Sequence, residues 1–311
     1  MNLIIQIPCF NESQTLPSVL ADLPKSIPGV DSIEVLVIDD GSVDGTAEVA
    51  RANGVRHVLT LKRHLGLAGA FRAGLSHALS LGADVVVNTD GDNQYCGAQV
   101  ADLVAPVVAG RADLVIGCRD IEAIAHFSAT KKVLQRLGSA VVRHLSGTRV
   151  ADTTSGFRSY SRSAARRIHI LSNFSYTLES IIQAGAEGFA IGTVPIRTNP
   201  KTRESRLYRS LSHYVIASSL TLLRAYLRYR PLKVFSQISA VVCAVGLGGI
   251  VRFLVYYAIG QGAGHIQSLF LSGVLLLLGF QIFLIGLVGD LLAVNRTLLQ
   301  EIHERTSKNG K

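Results

Sequence analysis

The chain has 311 residues, 48% of them hydrophobic, and its 31 Lys and Arg outweigh 22 Asp and Glu for a formal net charge of +9. A mean hydropathy of +0.34 and a pI near 9.6 argue against a purely soluble enzyme and point to an anionic partner, either a membrane surface or a nucleic acid. Cys9, Cys96, Cys118 and Cys243 form no Cys-x-x-Cys pair and have no His cluster beside them, so they read as small apolar residues of a reducing compartment and not as a zinc site.

The N-terminus runs straight into an apolar segment without a basic stretch before it, so no signal peptide is expected and the N-terminal domain should stay in the cytosol. Short β-branched runs at 3–7, 34–38, 55–61, 84–88 and 114–117 are bounded by Gly, Asp or Asn, as buried parallel strands are. Helical segments at 15–23, 46–52, 67–81 and 98–109 alternate with them. This alternation predicts an α/β domain with a doubly wound parallel sheet, whose ligands sit beyond the carboxyl ends of the strands. An amphipathic helix at 131–145, with Val133, Leu134, Leu137, Val141 and Leu145 on one side, a helix at 174–186 and a strand at 190–196 complete a domain of residues 1–199.

The composition then shifts. Nine basic residues between 197 and 233 face one acid, Glu204, and are interleaved with an apolar stripe that includes Leu211, Val215, Leu222 and Leu223. That pattern predicts a basic loop and interfacial helices over 200–233, lying on anionic lipid. Residues 234–251 and 266–289 carry no charge over 18 and 24 positions. At ~1.5 Å per residue, the second run spans a hydrocarbon core of ~30 Å and the first nearly does. Two transmembrane helices are therefore expected at about 234–258 and 266–290, within a segment 234–295 that is followed by a tail, 296–311. The connection between the spans lacks Lys and Arg, whereas both inner flanks are basic, so the positive-inside rule places both termini in the cytosol. Basic residues crowded at a membrane flank favour lipid over nucleic acid as the partner.

The chemistry is carried by loops at strand ends. Thr89-Asp90-Gly91-Asp92-Asn93-Gln94 follows the run Val85, Val86, Val87. Two carboxylates one residue apart suit one hard cation, Mg²⁺ or Mn²⁺, with Gln94 as a third oxygen ligand; such a cation would neutralise charge on a leaving diphosphate. Asp39-Asp40-Gly41-Ser42 ends the second strand, where an acid suits a ribose or a base. Asp44 and Thr46 read as turn and cap residues. Pro8-Cys9-Phe10-Asn11-Glu12 ends the first strand, and Arg63-His64-Leu65-Gly66 opens a helix whose glycines let backbone approach a ligand.

In this order the motifs resemble those of glycosyltransferase family 2 with a GT-A fold, over roughly the first 200 residues. With the C-terminal hairpin, the chain resembles the polyprenyl-phosphate glycosyltransferases, which include dolichol-phosphate mannose synthases and bactoprenol glucosyltransferases. Asp152-Thr153-Thr154-Ser155-Gly156-Phe157-Arg158 matches the Asp-x-x-Ser-Gly-Phe-Arg block of that group, and Arg203 and Ser205 match its basic loop. The resemblance implies transfer of a sugar, with inversion, from a UDP- or GDP-sugar to a polyprenyl monophosphate at the inner face of the cytoplasmic membrane. It implies that Pro8, Asn11, Glu12, Asp39, Asp40 and Asp90 hold the nucleotide sugar, and that Asp90, Asp92 and Gln94 hold the metal. Arg119, Arg203 and Ser205 would meet the acceptor phosphate. Asp92, Arg119, Asp152, Arg158 and Arg203 would carry the catalysis. Glu179 lies where a base acts in relatives that use sugar acceptors. Two departures stand out: His64 replaces the Asn or Pro of many relatives, and Glu204 replaces a Gly of the basic loop. Transfer to a different acceptor and a non-catalytic membrane scaffold are the alternatives. A processive synthase fits poorly, because the chain has no Trp and only one hairpin. Donor base, prenyl length and homo-oligomerisation stay open.

Overall fold

The computed structural model describes residues 1–120, 129–172, 175–200 and 211–309, and the chain divides into two compact units, Met1–Ala225 and Tyr226–Lys311. The first unit carries strands β1 (Asn2–Cys9), β2 (Ser32–Asp39), β3 (His57–Thr60), β4 (Val85–Asn88), β5 (Leu114–Arg119), β6 (Arg158–Ser161) and β7 (Ile191–Ile196). They form one sheet in the order β3-β2-β1-β4-β6-β5-β7. β1 lies between β2 and β4, parallel to both. Leu3, Ile4, Ile5 and Ile7 of β1 are completely buried, as a continuous apolar run covered on both faces must be. The sheet is mixed and not wholly parallel. β6 runs antiparallel between β4 and β5. Its sequence, Arg-Ser-Tyr-Ser, has no apolar run, which is why periodicity did not reveal it.

Helices α1 (Leu16–Asp22), α2 (Thr46–Ala52) and α4 (Val100–Val108) bury Leu16, Val19, Ala50, Leu103 and Val104 in one core with Leu3, Ile5 and Ile7. The opposite face takes α3 (Leu67–Ser80), which contacts both β1 and β2. A Cβ on Gly74 of α3 would lie 2.6 Å from Ile38 Cδ1, so glycine is what allows the close approach. α6 (Arg162–Arg167) and α7 (Tyr176–Ala186) pack beside α3, and α5 (Ala129–Ser146) packs on α7. On α5, Ser139, Val142 and Ser146 are buried, whereas Val141 of the expected stripe is exposed; the side chains of Val133, Leu134 and Leu137 lie outside those described. The chain leaves β1 toward β2 and β3, then returns to β4 on the other side of β1. That reversal opens a crevice at the carboxyl ends of β1 and β4.

α8 (Leu211–Tyr229) buries Leu222 and Ala225, and it exposes Val215, Ile216, Leu220 and Leu223. In the second unit, α9 (Pro231–Ala258) and α10 (Ile266–Asn309) pack antiparallel, with Ser239 Oγ donating to Gly279 O at 2.7 Å. A Cβ on Gly246 would lie 3.0 Å from Ser272 O, and one on Gly286 would lie 2.6 Å from Phe235 Cβ. Small residues thus set the helix separation, as they do where apolar surroundings give helices no hydrophobic reason to associate. Pro231–Ala258 and Ile266–Asn295 are each long and apolar enough to cross a membrane, with mean hydropathies of 2.2 and 2.5. Beyond Asn295 the expected tail is helical: α10 continues to Asn309, with no Gly or Pro between Asn295 and Gly310.

Candidate active site

The loop after β1 is stapled to the loop after β2. Asn11 adopts a left-handed φ of +57°, its N–H donates to Ser42 Oγ, and its Oδ1 accepts from Val43 N–H. Glu12 N–H donates to Thr46 Oγ1, and Ser13 N–H donates to Asp44 Oδ2. Burial pushes the Asp44 carboxyl up, but the bonds from Thr46 and Ser13 outweigh it and hold it below the usual carboxylate range. Pro8 is buried at the end of β1, paired with Ile38. Asp39 is almost fully buried, and Ser42 N–H donates to its Oδ1.

Asp40, expected to line the nucleotide pocket, binds the 63–66 motif through both carboxylate oxygens. Its Oδ1 accepts from Leu65 N–H at 2.7 Å, and its Oδ2 lies 2.9 Å from His64 Nδ1. Burial raises its carboxyl, opposed by the Leu65 and His64 contacts. Asp40 therefore anchors the 63–66 motif, and the residue presented outward is His64, whose side chain is 52% exposed and packs on Phe10 with ring centroids 4.0 Å apart.

Asp90 and Asp92 follow β4, beside the β1 loop. Asp90 Oδ1 is out of solvent and has no hydrogen-bond partner. Burial and the neighbouring Asp92 push the Asp90 carboxyl up to about 7, with Arg119 pulling the other way and Glu12 adding to the rise. Asp92 Oδ1 accepts from Gln94 N–H. An orphaned carboxylate oxygen beside a second acid is a site that gains from a cation. Among the described residues no third His, Cys, Asp or Glu joins them. The donor set thus fits an ion that keeps water and substrate oxygens as its remaining ligands, which is the habit of Mg²⁺.

A buried polar web lies beneath Asp90, and sequence reasoning missed it. Gln6 Nε2 donates to Asn88 Oδ1, and Asn88 Nδ2 donates to Gly156 O and to Tyr176 Oη, each at 2.9 Å. Gly156 N–H donates to Tyr95 Oη, and Tyr95 stacks on Phe157. Burial pushes the Tyr95 hydroxyl up to about 12, so it stays protonated. A Cβ on Gly156 would lie 3.1 Å from Asp90 Oδ1 and 2.7 Å from Tyr176 Oη. The only sequence signal for this web was the polar Asn88 closing an apolar strand.

Arg119 ends β5 and is held by Asp152 through a two-pronged ion pair. Nε donates to Oδ2 at 2.6 Å and Nη2 donates to Oδ1 at 3.1 Å; Nη2 also donates to Thr154 Oγ1. Asp152 is fully buried, and the Arg119 side chain is 9% exposed. Burial raises the Asp152 carboxyl, but Arg119 and Thr154 outweigh it and hold it below the usual range. Arg119 itself stays charged: burial opposes the charge, while Asp152 and neighbouring acidic groups more than restore it. Among the described residues, Nε and Nη2 are thus the nitrogens that this ion pair and Thr154 engage.

Arg158 does not join this group. It is 0% exposed, and its guanidinium donates to Ser155 O, Thr177 O, Ser180 Oγ and Thr153 O. It builds the 153–158 turn against α7 and offers no face to a substrate. Glu179 is likewise buried and accepts from Leu171 and Ser172 N–H. Arg203 and Ser205 lie outside the described residues.

The sequence pattern described as Glycosyl transferase family 2 matches residues 4–168. The chain is 30% identical over 204 residues to polyprenol monophosphomannose synthase of Mycolicibacterium smegmatis, covering 62% of this chain and 76% of that one. It is 31% identical over 206 residues to undecaprenyl-phosphate mannosyltransferase of Micrococcus luteus, covering 63% and 83%. Among solved structures, glucosyl-3-phosphoglycerate synthase from Mycobacterium tuberculosis, crystallised with Mn²⁺, uridine diphosphate and glucosyl-3-phosphoglycerate, superposes with a TM-score of 0.54 at 20% identity, covering 73% of this chain and 78% of that one. That likeness is one of fold, the GT-A arrangement of a mixed sheet with acidic loops at its carboxyl edge.

Proposed function

The chain belongs to glycosyl transferase family 2, and on that premise we propose that it is a membrane-bound inverting enzyme that moves a sugar from a UDP- or GDP-sugar to a polyprenyl monophosphate. One observation carries the reading: the 152–158 segment joins an acidic pair with an unpartnered oxygen to a pre-oriented arginine, since its Asp152 clasps Arg119 and a Cβ on its Gly156 would lie 3.1 Å from Asp90 Oδ1. That is a cation site beside an anion site, as two phosphate-bearing substrates require. Membrane-length helices in the same chain and the polyprenyl names of the two mannosyltransferases support a lipid acceptor.

The acceptor phosphate oxygen attacks the anomeric carbon from the face opposite the nucleoside diphosphate, and the bond from that carbon to the diphosphate breaks. The phosphate is already ionised at neutral pH, so no general base is needed, which agrees with Glu179 being spent on backbone N–H groups. Arg119, oriented by Asp152, holds the acceptor phosphate, while Glu12, Asn11 and Asp39 with Pro8 line the nucleoside side. Rate enhancement then rests on positioning and charge stabilisation. A divalent cation on Asp90 and Asp92, with Gln94 adjacent, would neutralise the departing diphosphate. Arg203 and Ser205 are assigned to the acceptor phosphate by resemblance. The exposed apolar side of α8 rests in the lipid interface, and the basic flanks set both termini on the cytosolic side.

Purified full-length protein, given labelled UDP- and GDP-sugars, Mg²⁺ or Mn²⁺ and a short polyprenyl phosphate, should move label into the organic phase. Label transfer that is indifferent to the prenyl phosphate, or absent with every donor, refutes the reading.

A further inference from the structure

A neutral side chain that follows β7 braces the acidic loop from outside its own strand. Asn199 follows β7, and its backbone N–H donates to Gln94 O at 2.9 Å. Its side-chain Nδ2 lies 3.1 Å from Asn93 O, 3.3 Å from Tyr95 O and 3.4 Å from Asn93 Oδ1. These acceptors flank Gln94 and begin one residue after Asp92. Asn93 sits at a left-handed φ of +59°, a conformation that asparagine reaches more readily than other non-glycine residues but that is still one of several open to the turn, and the brace selects it. The neighbouring chain repeats the pattern. Thr198 pairs with Tyr95 in an isolated bridge, Arg197 N–H donates to Gln99 Oε1, and Gln99 Nε2 reaches Pro195 O.

We propose that Asn199 is a positioning residue for the divalent cation: through Nδ2 it holds the Asn93 turn in the shape that aims Asp92, and it links the end of β7 to the metal loop. The proposal rests on the metal reading of Asp90 and Asp92 given above. The direction of the amide is fixed by chemistry. Carbonyl oxygens accept only, so the nitrogen must face the loop. Asn is also the residue whose short, rigid amide puts two donors at this reach, whereas Asp has the same shape and would set a carboxylate against carbonyl oxygens. The role is that of a partner one layer behind the ligands, where replacement costs roughly 10- to 100-fold in metal affinity.

The test uses full-length protein in detergent, with bound Mn²⁺ read from the electron paramagnetic resonance signal of the free ion, in the presence of UDP and separately of GDP. Nucleotide affinity is measured in parallel in chelator. Asn199→Asp should weaken Mn²⁺ binding about 10- to 100-fold while leaving metal-free nucleotide affinity within about two-fold. Asn199→Ala, which introduces no carboxylate, should weaken it less. With either variant, excess Mn²⁺ should restore most of kcat. Wild-type Mn²⁺ affinity in Asn199→Asp overturns the inference and leaves the metal reading standing. Equal loss of nucleotide and metal affinity in both variants also overturns it, since Asn199 would then be part of the general framework. If the wild-type protein itself binds no Mn²⁺ with either nucleotide, the metal reading falls and the inference falls with it.

Discussion

Removing the Asp152 carboxylate should strand a guanidinium in the interior of the first unit. Asp152 is completely buried, and it accepts from Arg119 Nε, Nη2 and backbone N–H, and from Thr154 N–H and Oγ1. Breaking a buried pair from one side costs about 3–5 kcal/mol, because the partner charge keeps its desolvation penalty and loses its compensation. For a unit of this size, each kcal/mol moves the midpoint by roughly 2–4 °C. Asp152→Ala should therefore lower the melting temperature of the full-length protein in detergent by about 6–20 °C, read by tyrosine fluorescence since the chain has no Trp. Arg119→Met combined with Asp152→Ala removes the stranded charge and should recover much of that loss, giving a coupling of at least ~1 kcal/mol. The pH dependence has a definite sign. The Asp152 carboxyl is held below its unfolded value in the folded chain, so its stabilisation is fully present above the unfolded carboxylate range near ~4 and is lost as pH falls through the lower folded value. The stability gap between wild type and Asp152→Asn should be flat from pH 8 to about 4 and close below that. At neutral pH, Asp152→Asn should cost roughly 100-fold in transfer, since Arg119 is then no longer aimed. Strict additivity of the two single changes, or wild-type transfer by Asp152→Asn, would refute the claim that this pair positions Arg119.

Asp92→Ala should abolish label transfer to lipid while membrane fractionation stays unchanged; normal turnover would remove Asp92 from the metal site. Gly156→Ala brings a methyl to 3.1 Å from Asp90 Oδ1 and 2.7 Å from Tyr176 Oη, so it should cost about 1–3 kcal/mol and raise the Mn²⁺ needed for half activation. Denaturant unfolding and a metal titration check both effects, and a variant that matches wild type in both would show that the web beneath Asp90 yields freely. Truncation before residue 234 should raise KM for the prenyl phosphate far more than KM for the donor; unchanged acceptor kinetics would reduce the hairpin to a tether.

How much of this was legible beforehand depends on how far each signal reaches along the chain. β1, β2 and β4 declare themselves because strands covered on both faces read as near-continuous apolar runs, even with Gln6 and Asn88 inside them. β6 is silent: it enters between β4 and β5 by filling hydrogen bonds, and Arg158, Ser159 and Ser161 advertise nothing. The acidic loop and Arg119 stood out as candidates because their chemistry is local. Arg158 stood out as part of a block, but a motif records that an arginine is present and not that four protein acceptors surround it. Tyr95, Tyr176 and Asn199 were invisible for a different reason, and Asn88 showed only as a polar residue closing an apolar strand. Each bonds a partner 61 to 106 residues away, and one polar residue without local periodicity looks the same whether it faces solvent or a loop backbone.

The character of these braces follows from the charge they surround. The acidic loop is held by groups that carry no charge: Thr15 Oγ1 lies 2.7 Å from Gly91 O, and Asn199 holds Asn93 and Tyr95. A lysine or arginine in either place would hold the loop equally well, but it would also neutralise Asp90 and Asp92 and compete with the cation they attract. The arginine site shows the reverse. Its brace, Asp152, carries a charge because a desolvated guanidinium needs one, and the pair engages Nε and Nη2. At the acidic site, burial and the neighbouring Asp92 push the Asp90 carboxyl up to about 7, against the pull of Arg119 and Arg158. A carboxylate pair in that condition gains most from an ion that arrives with the substrate, so donor diphosphate and metal should bind with mutual reinforcement, each weak at this site without the other.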